Sequence, residues 1–236
     1  SNVILNGYKD TQIVEAQLSA PAGAARVDYF PTDDKAWAVY NPPQAGRVLF
    51  ISQKGNLYIE QVLASLPGIT PFRVPADAPL PNDPFDLYIY EGVITNTLPS
   101  KNLLLVNPPV NNLFEVSGVF TPTTTSSISV VCESLMSFVD FNNVHILRAR
   151  DVKTPAWAKT MISVEGKPLL FAGTLDRRRV AVITFDLRDS DLPLQVMYPI
   201  LMSNLLEWLT PSSVISTSGI IRPGDSVSIR PKEGEQ

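Results

Sequence analysis

Cys132 and His145 are the single cysteine and the single histidine of the chain. A thiol beside an imidazole is one of the simplest nucleophilic pairs a protein can build. Cys132 stands in SISVV-C-ESLMSF, after a run with strand character and before one with helical character. That is the order of a nucleophile elbow, a crowded turn that needs small residues two positions to either side, as in G-x-C-x-G. Val130 and Ser134 occupy those places, and a β-branched valine is hard to fit there. His145 is the only side chain ready to serve as a general base near neutral pH. It lies in NVHILRA, on an expected strand, and only the fold can say whether it meets Cys132. The plainer readings are a small buried thiol and a structural histidine. No G-x-S-x-G occurs, so a serine nucleophile has no elbow either.

Asp186, Asp189 and Asp191 place three carboxylates on one short stretch. Together they could gather a hard cation, which takes six or more oxygen ligands. The calcium-loop spacing, with its glycine and distal glutamate, is missing, and so is a D-x-S-x-S metal motif. Helix capping by Ser190 or Asp191 and a solvated turn account for the aspartates more simply. The turn Lys54-Gly55-Asn56 could offer amides to an anion at a helix start. A dinucleotide or phosphate loop needs several glycines, however, and capping by Asn56 is the simpler role. Tyr88 and Tyr90 alternate with Leu87 and Ile89 as in an ordinary strand. No cofactor is expected.

The elements that must position these residues are clearest at 178–209. Val180, Ala181, Val182, Ile183 and Phe185 form a strand apolar on both faces, which belongs in the middle of a layered α/β sheet. An acidic turn follows, then a helix with Leu201, Leu205, Trp208 and Leu209 on one face and Ser203, Asn204 and Glu207 on the other. Pro199 requires that regular helix start near Met197 or kink there. Further buried runs fall at 47–52, 85–90 and 102–106, with a strand at 70–74 and a helix at 57–66 whose face is Ile59, Val62, Leu63 and Leu66. Strand–helix–strand alternation predicts a flavodoxin-like, mainly parallel sheet flanked by helices. The connections after Tyr90 are short, so not every crossover holds a helix. Residues 127–131, 144–150, 159–164 and 168–172 read as strands, the last three antiparallel, and 132–139 as a short helix. Residues 3–5, 12–18 and 25–30 read as short antiparallel strands. Asn41-Pro42-Pro43 marks a boundary, giving a β segment at 1–42 and an α/β domain at 43–236. A last strand is expected within 219–229.

Composition narrows the function classes. A net charge of −4 and a pI near 5.0 argue against a nucleic-acid surface. One cysteine excludes an internal disulfide. The longest nearly apolar window, 196–209, is too short and too polar to span a bilayer, so no direct membrane insertion is expected. The N-terminus lacks a signal-peptide pattern. Ser1-Asn2 reads as the remnant of a cleaved tag, which would make the chain an excised piece of a larger protein.

The residues RVLFIS…GNLYIEQVLASLPGI, FDLYIYEGV…LPSKNLLLVNPP, NNVHI and FDLRDSDLPLQVMYPILMSNLLEWL resemble the class I glutamine amidotransferase-like domain of bacterial membrane proteins that also carry a von Willebrand factor A domain, the aerotolerance type. The likeness spans about residues 45–231. TDDKAWAVYNP is similar to the end of the β domain that joins the two modules in that family. The resemblance implies a flavodoxin-like fold without amidotransferase chemistry. Active amidotransferases place their nucleophile after an earlier sheet strand. The corresponding stretch here, LLLVNPPVNN, has no cysteine, and the downstream His-x-Glu is absent. With D-x-S-x-S missing, the von Willebrand A module itself lies outside this chain. The expectation is therefore a non-catalytic interaction or structural domain of a larger, membrane-anchored protein. Its partners would be other proteins or neighbouring domains, met through open strand edges of the N-terminal segment. Two other readings stay open: a divergent thiol hydrolase or amidotransferase using Cys132 and His145, and a small-molecule binder at the carboxyl ends of the parallel strands.

Overall fold

A computed structural model describes residues 12–17, 35–40, 46–123, 128–131, 133–141 and 143–210. The strands are β1 (Gln12–Gln17), β2 (Lys35–Tyr40), β3 (Gly46–Ser52), β4 (Ile69–Val74), β5 (Leu87–Glu91), β6 (Asn102–Val106), β7 (Val116–Phe120), β8 (Ile128–Val130), β9 (Ala149–Val152), β10 (Ala158–Val164), β11 (Lys167–Leu175) and β12 (Arg178–Ile183). The helices are α1 (Leu57–Ser65) and α2 (Met197–Leu209), with single 3₁₀ turns at Ser134–Met136, Leu187–Asp189 and Leu192–Leu194. The β1–β2 ribbon belongs to one compact unit and residues 46–210 to another.

The ribbon is antiparallel, with Glu15 opposite Trp37. Glu15 accepts hydrogen bonds from Lys35 Nζ and Trp37 Nε1, each at 3.0 Å. The strand at 35–40 is additional to those expected from the sequence. The expected strands at 3–5, 25–30 and within 219–229 lie outside the described residues.

The second unit is α/β, built on an eight-stranded, mostly parallel sheet in the order β4-β3-β5-β6-β12-β11-β10-β8. β4, β3, β5, β6 and β12 run parallel, and their order is the flavodoxin order. β11, β10 and β8 extend the sheet antiparallel. The long excursion between β6 and β12 supplies all three of these strands, and the β7–β9 ribbon as well.

Strand alternation sorts the core into two layers. Val48, Phe50, Leu87, Ile89, Leu104, Val106, Ala181 and Ile183 face one way and meet Ile59, Val62 and Leu63 of α1 and Leu201, Leu205 and Leu209 of α2. Leu49, Ile51, Tyr88, Tyr90, Leu103, Leu105, Val180 and Val182 face the other way and meet Phe85, Phe114, Val152 and Phe171. Both α-helices thus lie on one face. The opposite face is closed by loops and ribbon, which follows from the short connections after β5. Each leucine fully buried in these layers contributes about 1.5–3 kcal/mol relative to exposure.

Local sequence explains the helix ends. The Asn56 side chain accepts from Tyr58 N and caps α1, as expected. Pro199 is the third residue of α2, inside the first turn, where a backbone N–H has no helical partner to lose. Neither Ser190 nor Asp191 caps α2, contrary to expectation. Ser190 Oγ donates to Leu187 O, Asp191 is engaged by His145, and α2 begins after Val196 without a side-chain cap.

Two further expectations are corrected. Residues 144–148 form only an isolated bridge, Ile146 to Ser190, and regular strand starts at Ala149. The backbone of this stretch is spent on the acidic loop: His145 N donates to Asp191 Oδ1 and Leu147 N to Asp189 O. The helix expected at 132–139 is a single 3₁₀ turn, held from outside by Asn204 Nδ2, which donates to Leu135 O and Ser137 O.

Candidate functional site

Parallel register sets the carboxyl ends of four strands side by side. Ser52 ending β3 is level with Glu91 ending β5, Glu91 with Val106 ending β6, and Val106 with Ile183 ending β12. The residues that leave these strands are polar, although the strands themselves are apolar. They wall a cleft of about 390 Å³, beside a smaller hollow of about 210 Å³. The two share Asn107, Arg148, Asp186 and Asp189 as lining. Open α/β sheets bind ligands at this edge.

Glu91 organises the site. Its side chain is only 1% exposed, and a buried carboxylate is tolerated when donors surround it. Ser52 Oγ donates to Oε2 at 2.6 Å, and Asn56 Nδ2 donates to Oε1 at 2.5 Å. Arg188 Nη2 donates to Oε1 at 3.3 Å. Ser52 Oγ in turn accepts from Gly55 N at 3.1 Å. Gly55 has φ +74°, a left-handed conformation that favours glycine, and a Cβ there would also push aside the Arg73 guanidinium. The amides of Gly55 and Asn56 are taken by Ser52 and Glu60, which leaves the Lys54-Gly55-Asn56 turn holding α1 and Glu91. The Tyr198 hydroxyl of α2 is buried without a hydrogen-bond partner among the described residues. Burial first, then the charge of Glu91, push its pKa well above the usual phenol range.

The three candidate aspartates each face a different basic side chain. Asp186 accepts from Arg188 N, Nε and Nη2 at 2.9, 2.9 and 2.8 Å. Burial opposes its ionisation, but those bonds and the charges of Arg188 and Arg148 outweigh burial and hold its carboxyl below the usual range. Asp189 accepts from Arg148 Nε at 2.6 Å and Nη2 at 3.3 Å. Asp191 binds His145 twice, to the backbone N and to Nδ1, each at 2.8 Å. Among the described residues no three His, Cys, Asp or Glu side chains converge on a point fit for a metal ion.

His145 is therefore held by a carboxylate, as an acid/base histidine often is, but its side chain is 69% exposed and is not part of the cleft wall. Cys132 lies outside the described residues. The position directly after β6, in the stretch corresponding to the amidotransferase nucleophile, is Asn107. Its φ is +48°, a left-handed conformation that asparagine tolerates better than most residues. Asn107 Oδ1 accepts from Arg150 Nε at 2.7 Å. Arg150 is itself anchored by its backbone N, which donates to Thr184 O.

Sequence reading singled out Asp186 and Asp189 but missed Ser52, Glu91, Asn107, Arg148, Arg150 and Arg188. A usable signal existed. The first polar residue after each buried run (S after RVLFI, E after FDLYIY, N after LLLV) stands at the crevice edge of a doubly wound sheet.

No protein-family model matches the chain, and neither does any curated protein. Solved structures do resemble it. A cytoplasmic protein of Salmonella typhimurium superposes with a TM-score of 0.55 at 11% identity, over 85% of this chain and 96% of that one. A second cytoplasmic protein from Salmonella typhimurium LT2 gives 0.50 at 12% identity, over 85% and 97%. The carbohydrate deacetylase Agd3 gives 0.51 at 10% identity, over 72% of this chain and 33% of that one. At such identities the likeness is one of fold: an α/β sheet found both in whole small proteins and inside a larger enzyme.

Proposed function

We propose that this chain is a non-catalytic α/β domain that acts by binding, as an interaction module of a larger, membrane-associated protein of the von Willebrand A type. The observation that carries the reading is Asn107. The strand end that would bear a nucleophile bears a carboxamide instead, tied to Arg150. Ser52, the one cleft hydroxyl bonded to a carboxylate among the described residues, is 2% exposed, which suits it to bracing Glu91. The tether to a membrane protein rests on the sequence resemblance alone. Among the described residues no helix is long and apolar enough to cross a membrane.

The test is hydrolysis of glutamine and of an activated thioester by the wild-type chain, Cys132→Ala and His145→Ala. The expected result is no turnover above buffer in any of the three. Turnover that disappears in both variants would overturn the proposal in favour of a thiol hydrolase.

A further inference from the structure

We propose that the carboxyl-edge cleft and the hollow beside it together bind a small hydroxylated monocarboxylate, with Arg150 of the hollow as its anchor and Lys54 of the cleft as a second cationic contact. This rests on the reading of the domain as a binding module and names what it binds.

The charge pattern comes first. The chain carries a net −4, yet the cleft and its adjoining hollow present more cations than carboxylates. The acids there are already engaged. Asp189 takes Arg148, and Arg188 takes both Asp186 and Glu91. Arg150 and Lys54 remain with no carboxylate partner among the described residues. A half-buried guanidinium without a counter-ion is costly unless solvent or a ligand completes it.

Arg150 is also prepared for the task. Its backbone is fixed to Thr184 O and its Nε to Asn107 Oδ1, so the plane of the fork is set before a ligand arrives. No hydrogen bond to another described residue engages its terminal nitrogens, and it lines the smaller hollow. A planar fork whose terminal Nη1–Nη2 edge faces no other described donor or acceptor matches a carboxylate bidentately and loses little freedom on binding. The strained backbone of Asn107 gains a purpose here, because it holds the carboxamide that orients the guanidinium.

The remaining lining defines the rest of the ligand. Glu91, Asp186 and Asp189 repel a second full negative charge, and the partly exposed carboxylates of Asp186 and Asp189 can still accept hydrogen bonds from hydroxyl groups. A volume of about 390 Å³ lies at the small end of the range for ligand pockets, roughly 300–1,000 Å³. A sugar acid has the required features, with one carboxylate and several hydroxyls.

The experiment is a ¹H–¹⁵N NMR titration of the full chain with sodium gluconate, sodium acetate, sodium phosphate and sodium chloride at matched ionic strength. Gluconate should shift the Arg150 Nε–H and Asn107 amide signals saturably. Acetate should do so more weakly, and chloride not at all. Arg150→Gln should weaken gluconate binding by at least about tenfold, the loss expected when a charge-assisted bond is removed. Arg150→Lys keeps the charge without the fork and should lose most of that affinity. Since Arg150→Gln also disturbs Asn107, Lys54→Gln at the exposed wall serves as the variant that leaves the fold intact, with a loss of about threefold. Unchanged signals with gluconate, or equal affinity in Arg150→Gln, would overturn the proposal. Tighter binding of phosphate than of gluconate would overturn the carboxylate assignment. These outcomes are separate from the hydrolysis test: turnover would end the non-catalytic reading with the anion site intact, and silent titrations without turnover would end the anion site alone.

Discussion

The two ends of the parallel strands treat polar side chains differently. At the amino-terminal edge, side chains tie down backbone. Asn102 Nδ2 donates to Leu209 O and its Oδ1 accepts from Arg179 N. Arg179 Nη1 donates to Trp208 O, and Arg178 Nη1 to Pro99 O. These bonds close the end of α2 onto β6 and β12. At the carboxyl-terminal edge, charged side chains tie down one another around Glu91 and leave a cation over. The first pattern spends polar groups on carbonyls the fold would otherwise strand. The second collects charge beyond what the fold consumes, and such an excess marks a place where a further charge is welcome.

The contrast can be broken most sharply at Glu91. Glu91→Ala strips the partner from Asn56, Ser52 and Arg188 at once, and should lower the unfolding free energy by about 3–5 kcal/mol, the range for breaking a buried ion pair from one side. Urea denaturation measures it; a loss below about 1 kcal/mol would mean that Glu91 does not organise this edge. Asn102→Ala removes two bonds to backbone and should cost about 1–3 kcal/mol. If the two ends are as distinct as they look, this variant destabilises the domain yet leaves the gluconate titration unchanged.

A smaller effect separates the charges by pH. The folded carboxyl of Asp186 is held below its usual range, whereas the unfolded group titrates near about 3.9. Its contribution to stability is therefore present above the unfolded value and is lost as pH falls through the folded one. Asp186→Asn should cost about 1 kcal/mol at neutral pH, and the stability difference from wild type should shrink as pH falls below the unfolded value of about 3.9. A difference that stays constant as pH falls further would assign the loss to shape rather than charge.

Much of the fold was legible because it is periodic. Runs such as RVLFI and LLLV admit only buried strands, and the i, i+4 spacing of Leu201, Leu205 and Leu209 fixed the inner face of α2. Asn56 was legible as a cap because capping is a short-range bond. Residues 144–150 misled because their pattern suits a strand, while the acidic loop at 189–191 took up their backbone. Ser190 and Asp191 misled in the same way, drawn to Leu187 O and His145 by contacts that spacing does not reveal.

The site was far less legible. Ser52 and Glu91 are 39 residues apart, and Glu91 and Arg188 are 97 apart. By itself, the sequence determined which segments are buried, where helices begin and that the chain is acidic, because those properties depend on neighbours within a few residues. Only the tertiary structure decided that the polar residues leaving β3, β5, β6 and β12 meet, and that Arg150 turns to Asn107 rather than to an acid. Parallel register aligns strand ends across long stretches of sequence, and the balance of charge among them exists only once they are aligned.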